Sequence, residues 1–150
     1  MRKVIVNGDA LTVEDVVDVA IGAATAELGP HVTERMAASL AVVTTASHGE
    51  TAVYGVNTGF GALADTRVHG DEMTAMQRAI VVSHAAATGE PLNDETVRAL
   101  MLLRARTLAA GYSGVRSALP ARLLELLNLG LLPVVPGKGS VGASRSEDVV

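Results

Sequence analysis

Cysteine and tryptophan are absent from the 150 residues, and aromatic side chains amount to only two Tyr and one Phe. Without cysteine there is no disulfide framework and no thiolate metal site, which fits a reducing compartment, so the cytoplasm is the default expectation. With so few aromatics, the interior must be built from Ala, Val, Leu, Ile and Met, a palette that suits helix packing better than a β-sandwich. Basic runs are also missing. Twelve Lys and Arg against sixteen Asp and Glu give a net charge of −4, and nowhere are cations dense enough to follow a phosphate backbone or an anionic membrane. The apolar run Val4 to Val6 stops at Asn7, Gly8 and Asp9, too short for a signal-peptide core or a membrane span. No metal-ligand cluster stands out, and neither nucleic acid nor membrane is expected as a partner.

What is present wants to fold. Hydrophobic residues make up 49% and charged ones 19%, outside the range of chains too polar to bury a core. The class expected is mainly α, with a short N-terminal strand and two glycine-rich loops. Residues 3–6 read as that strand, closed by the Asn7-Gly8-Asp9 turn signal. Thr12 and Asp15 have the spacing of a capping box, which predicts a helix from there to about Leu28. After Gly29-Pro30 a second helix with Val32, Met36, Leu40 and Val43 on one face runs to Gly49. Asp71 is placed to cap a third, with Met73, Met76, Ile80 and Val81 turned inward and Gly89 and Pro91 beyond its end. Asn93 caps a fourth, carrying Val97, Leu100, Met101 and Leu108, and Gly111 follows it. Ser117 caps a fifth with Pro120 in its first turn and Gly130 at its end. Its leucines leave no polar face, so it needs cover on every side.

Two segments escape helical periodicity, residues 50–70 and 132–145, and both are rich in glycine. The first holds Tyr54-Gly55-Val56-Asn57-Thr58-Gly59-Phe60-Gly61, where glycines can hold a phenol and an amide in a fixed pose. On residue types alone, a loop whose Tyr and Phe plug the core is the plainer reading. Ser83-His84-Ala85-Ala86-Ala87 lies on the third helix, and a lone His on an otherwise apolar helix is more often a hydrogen-bonded core residue than a catalyst. The third motif is Gly137-Lys138-Gly139-Ser140-Val141-Gly142-Ala143-Ser144. Its first six residues match G-x-G-x-x-G, but a dinucleotide turn needs a preceding strand, a following helix and an acidic residue about 20 positions on. Two prolines flank the candidate strand here and the sequence stops at Val150, so nucleotide binding is rejected.

Taken in order, these motifs resemble the histidine and phenylalanine ammonia-lyase family, enzymes that carry a methylidene-imidazolone prosthetic group. The resemblance runs over residues 4–144 through YGVNTGFG, MQRAIVVSHAAATGEP, RARTLAAGYSGVR at 104–116 and LPVVPGKGSVGAS at 132–144. It implies an N-terminal lyase domain over 1–144 and a tail unlike the family over 145–150. Tyr54 takes the place of the tyrosine that removes the substrate β-proton; a phenol ionises near pH ~10, so such a site must stabilise its phenolate. Ala143 and Ser144 match the first two residues of the Ala-Ser-Gly triplet that cyclises into the electrophile, with Gly139 and Gly142 giving the turn its freedom. Ser83 and His84 occupy the pair facing the substrate ring, and a polar pair there implies L-histidine, giving urocanate and ammonia. Asn57 and Gly61 carry over as loop shapers.

The sequence departs from the family at Arg145, where the triplet has glycine. A Cβ there restricts the dihedrals that ring closure needs. Smaller departures are Ala79, often Asn in the family, and Ala87, often Gly. Family members are several times longer, continue into a helical bundle and assemble as tetramers with sites drawn from three subunits. The expectation is therefore a histidine ammonia-lyase-like N-terminal domain that, truncated, is inactive alone and self-associates; the alternative is a catalytically dead fragment acting as an interaction module with itself or with a full-length lyase.

Overall fold

A computed structural model describes residues 1–68 and 70–139. The described chain divides into two compact units, residues 1–41 with 91–135, and residues 42–90 with 136–139.

The first unit begins with β1 (Arg2–Val6), α1 (Val13–Ala20) and β2 (Ala24–Leu28). β1 and β2 pair in parallel, Arg2 opposite Ala24 and Val6 opposite Leu28. Alternation puts Val4, Val6, Ala24 and Ala26 on the buried face, while Lys3 and Glu27 pair across the outer one at 2.9 Å. The capping box at Thr12 and Asp15 forms as the spacing predicts, each side chain meeting the other's backbone N–H. The helix does not continue to Leu28. It ends at Ala20, because Gly22 takes φ +77° and its N–H meets Val19 O at 3.2 Å while Ala23 N–H meets Asp18 O at 2.8 Å. That Schellman closure turns the chain into β2, and Gly22 was the signal available for it.

The unit is completed by the first part of α2 (Val32–His48), by α4 (Asp94–Ala109) and by α5 (Ala118–Asn128). α4 packs on α1 and α5, and α5 covers β2. One aliphatic cluster results, with Val6, Val19, Met36, Leu102, Ala105 and Leu127 fully shielded. Polar side chains finish its edges. Asn128 presents its amide to the free edge of β2, accepting from Ala26 N–H at 3.0 Å and donating to Ala26 O at 2.8 Å, which occupies backbone groups another strand would otherwise seek. Arg98 donates to Val19 O and Leu127 O at the ends of α1 and α5. α5 also differs from the expectation of an all-apolar helix. Pro120, Leu124 and Leu127 are buried, Arg122 and Glu125 form an exposed ion pair, and Leu119 stays exposed.

The second unit contains the end of α2 from Val42, a loop with a single 3-10 turn at Gly61–Leu63, α3 (Gly70–His84), β3 (Thr88–Pro91) and β4 (Pro136–Lys138). β3 and β4 form a second two-stranded sheet; β4 falls in the segment 132–145 that was expected to be irregular, and β3 at the Gly89 and Pro91 stop after the third helix. Met73, Met76 and Ile80 of α3 are half-buried and Val81 is exposed, so this helix turns no side chain fully inward among the described residues. No described helix is long and apolar enough to cross a membrane.

Candidate functional site

The loop after α2 is organised from its centre. Asn57 is 1% exposed and uses its amide completely: Oδ1 accepts Val53 N–H at 2.7 Å, and Nδ2 donates to Ala46 O at 3.0 Å, Thr51 O at 2.9 Å and, more weakly, Gly49 O at 3.4 Å. It thus caps the end of α2, where carbonyls lack helical partners, and folds the chain back on itself. Thr58, fully buried, accepts Gly55 N–H at 3.2 Å and bridges to Arg67 as an isolated antiparallel pair. Arg67 donates from Nη2 to Gly49 O, and its Nε is buried without a partner among the described residues. Val68 N–H closes the loop on Asn57 O at 3.0 Å.

Asn57 ties the loop together through these bonds, and Gly61 takes the left-handed φ of +57°. Thr58 and Arg67 share that work and were not singled out from the sequence; the T-G step after Asn57 and a lone Arg beside a glycine loop were the signals to follow. Gly139 takes no left-handed conformation and has open space where a Cβ would lie, so the described geometry gives no reason for glycine there. Tyr54 stands at the mouth of the loop, 60% exposed, with its ring edge-on to Phe60 at 5.6 Å between centroids. The two rings contact each other at the surface, and neither plugs a core.

Ser83 and His84 close α3, both exposed. Ser83 Oγ donates to Ile80 O at 3.0 Å, and His84 Nδ1 lies 2.9 Å from the same carbonyl and 3.1 Å from Ser83 Oγ. Tyr54, Ser83 and His84 belong to the same unit, and no hydrogen bond among the described residues joins the phenol to the Ser-His pair. Ala143, Ser144, Gly142 and Arg145 lie outside the described residues. Among the described residues no group of three or more His, Asp or Glu side chains is arranged to hold a metal ion.

The described chain thus joins a parallel strand pair packed under α4 and α5 to a glycine loop sealed by Asn57 and displaying Tyr54. The sequence profile of the aromatic amino acid lyases matches residues 11–145, and the chain belongs to that family. Within the family its likeness to histidine ammonia-lyases is strong: it is 44% identical over 142 residues to the one from Myxococcus xanthus (strain DK1622), covering 95% of this chain. The solved histidine ammonia-lyase from Trypanosoma cruzi superposes with a TM-score of 0.82 at 32% identity, covering 95% of this chain and 27% of that one. Tyrosine aminomutase from Streptomyces globisporus superposes with a TM-score of 0.85 at 32% identity, covering 93% and 26%. The chain spans 28% of the length of the Myxococcus relative.

Proposed function

We propose that this chain supplies the Tyr54 loop and the Ser83-His84 helix end of a histidine-directed ammonia-lyase site. The observation that carries the reading is the loop itself: Asn57 and Thr58 are buried for the sake of hydrogen bonds that leave Tyr54 displayed, in a chain 44% identical to a histidine ammonia-lyase. In the complete reaction Tyr54 acts as the base that takes the β-proton of L-histidine as the amino group leaves from Cα, giving trans-urocanate and ammonia. In the family, a group formed from the Ala-Ser-Gly triplet would supply the electrophilic chemistry that turns the amino group into a leaving group. Here Ala143 and Ser144 stand at the first two positions of its triplet, but Arg145 stands at the third, and its Cβ works against the turn. Arg145 keeps a backbone N–H, so ring closure is disfavoured rather than forbidden.

These 150 residues do not catalyse the reaction by themselves. Tyr54, Ser83 and His84 are all exposed, whereas elimination needs reacting groups fixed around the substrate and water kept out. A chimera tests the assignment: residues 1–144 replace their counterpart in the Myxococcus enzyme, and urocanate formation is followed. L-Histidine is expected as the preferred substrate, and Tyr54→Phe should cost about 10²–10⁴-fold in kcat. A folded chimera that prefers L-phenylalanine or L-tyrosine would remove the histidine reading. In the isolated chain, intact mass should show no loss of two waters, for the wild type and for Arg145→Gly alike.

A second reading, as an interaction module, rests on one observation. A groove of about 660 Å³ in the first unit is lined by Met101, Leu123, Leu126, Leu131, Leu132 and Pro133, and Leu129 and Val134 nearby in sequence are exposed. Apolar surface of this kind favours association, with a second copy or a full-length lyase. Sizing across a wide concentration range should show self-association and hydrophobic-dye binding; a clean monomer that binds no dye contradicts it.

A further inference from the structure

The end of α3 contains a closed triangle of polar atoms. His84 Nδ1 has two neighbours, Ile80 O at 2.9 Å and Ser83 Oγ at 3.1 Å, and Ser83 Oγ itself lies 3.0 Å from Ile80 O. A carbonyl oxygen only accepts. The Ser83 proton points to that carbonyl, which leaves its lone pairs toward the imidazole. Both neighbours of Nδ1 are then acceptors, so a neutral ring satisfies them only with its proton on Nδ1. The consequence falls on the other nitrogen: Nε2 is left as a bare lone pair on an exposed ring.

The same device appears a second time. α2 also ends in Ser-His, with Ser47 Oγ donating to Thr44 O at 2.8 Å, His48 Nδ1 at 2.8 Å from that carbonyl and at 3.2 Å from Ser47 Oγ. Two occurrences with different surrounding sequence mark the triangle as a property of Ser-His at a helix end, four residues after a receptive carbonyl.

We infer that Ser83 is a positioning residue: with Ile80 O it locks His84 in the Nδ1–H tautomer, making the ring a fixed hydrogen-bond acceptor toward its ligand. This rests on the histidine-directed reading and refines it, because it assigns the two members of the pair different tasks. The hydroxyl of Ser83 is committed inside the helix end, and His84 Nε2 is the atom that meets the ligand. An acceptor at that point selects a ring with an N–H at its edge, as imidazole has and phenyl lacks. A ring lacking that donor leaves Nε2 desolvated and unpaired.

Long-range nitrogen-proton NMR correlation on the histidine-labelled chain, at a pH where the rings are neutral, reads the tautomer without substrate. The expected result is a pyrrole-type Nδ1 and a pyridine-type Nε2 for His84, with the same pattern for His48. Ser83→Ala should shift His84 toward the Nε2–H form and leave His48 unchanged, Ser83→Thr should retain the wild-type pattern, and Ser47→Ala should affect His48 alone. The unchanged His48 signal reports within the same spectrum that the chain is folded. In the chimera, Ser83→Ala should raise KM for L-histidine about tenfold with kcat nearly constant, and Ser83→Thr should restore it. A wild-type His84 carrying its proton on Nε2, or a Ser83→Ala variant with an unaltered tautomer, overturns the proposal. So does a shifted tautomer with no change in KM. If the tautomers are as expected but the chimera ignores L-histidine altogether, the substrate assignment fails and the positioning of His84 by Ser83 stands.

Discussion

In the unit made of residues 1–41 and 91–135 the interior is aliphatic: Val6, Val19, Met36, Leu102, Ala105 and Leu127 exclude water together. In the unit that begins at Val42 the shielded side chains are Asn57 and Thr58, and every buried hydrophobic side chain among the described residues belongs to the other unit. One region is held by non-directional burial, the other by directed hydrogen bonds. The candidate chemistry, Tyr54 and the Ser83-His84 pair, lies wholly in the second. The division has a physical sense. Aliphatic packing tolerates exchange of side chains of similar volume, whereas a network that aims a phenol depends on particular donors and acceptors. The helix that carries His84 buries no described side chain.

The largest effect that would sharpen this contrast is expected at Leu102, fully buried in α4. Leu102→Ala should cost about 2–5 kcal/mol in urea unfolding, while Val81→Ala on exposed α3 should stay within about 0.5 kcal/mol. Similar losses at the two positions would show that α3 is packed after all. Next comes Asn57. Asn57→Ala leaves Ala46 O, Thr51 O and Val53 N–H without their side-chain partners, at a local cost of about 1–3 kcal/mol. Hydrogen exchange should quicken at Val53 and Val68, whose amides bond to Asn57, and remain slow along α4. If α4 amides quicken equally, the two regions unfold together and the contrast is broken.

Much of the first unit was legible because its signals are local. Thr12 with Asp15, Asn93, and the glycines after helices mark ends by backbone chemistry that needs no distant partner. One exception, a helix expected to reach Leu28, arose where Ala and Thr fit either state; Gly22 decided against helix and pairing with β1 decided for strand. Another is Ser117, which precedes α5 in helical conformation and makes no side-chain cap hydrogen bond. In the second unit the candidate residues could be named by family resemblance, yet their geometry could not. That Asn57 would reach back to Ala46, or that Arg67 would take Gly49 O, depends on contacts between residues eleven and eighteen positions apart, across a loop with no periodicity. The Ser83 triangle was likewise within reach of the sequence, since Ser-His at a helix end recurs at 47–48, but only distances reveal which atoms are committed.

The smallest expected effect concerns charge, which also divides unevenly: the ion pairs Arg2 with Asp15 and Asp18, Lys3 with Glu27, Arg35 with Asp9, and Arg122 with Glu125 all lie in the first unit. Asp15 is the carboxylate to follow. The Thr12 hydroxyl donating to it, then the Thr12 backbone N–H and the nearby Arg2 guanidinium, hold its pKa below the ordinary value of 3.8. A carboxylate whose folded pKa is lowered binds its proton more readily in the unfolded chain. Its contribution is therefore complete above the unfolded value and is lost as pH falls through the folded one. Asp15→Asn should lower the urea midpoint modestly at pH 6, and the gap to wild type should close as pH drops below 3.8. Asn57 and Thr58 do not titrate, so amide exchange in the loop should follow pH only through the intrinsic chemistry of exchange. A gap that persists undiminished down to pH 2 in a still-folded chain would mean that Asp15 caps α1 through its shape and hydrogen bonds alone, and that acid does not distinguish the two units.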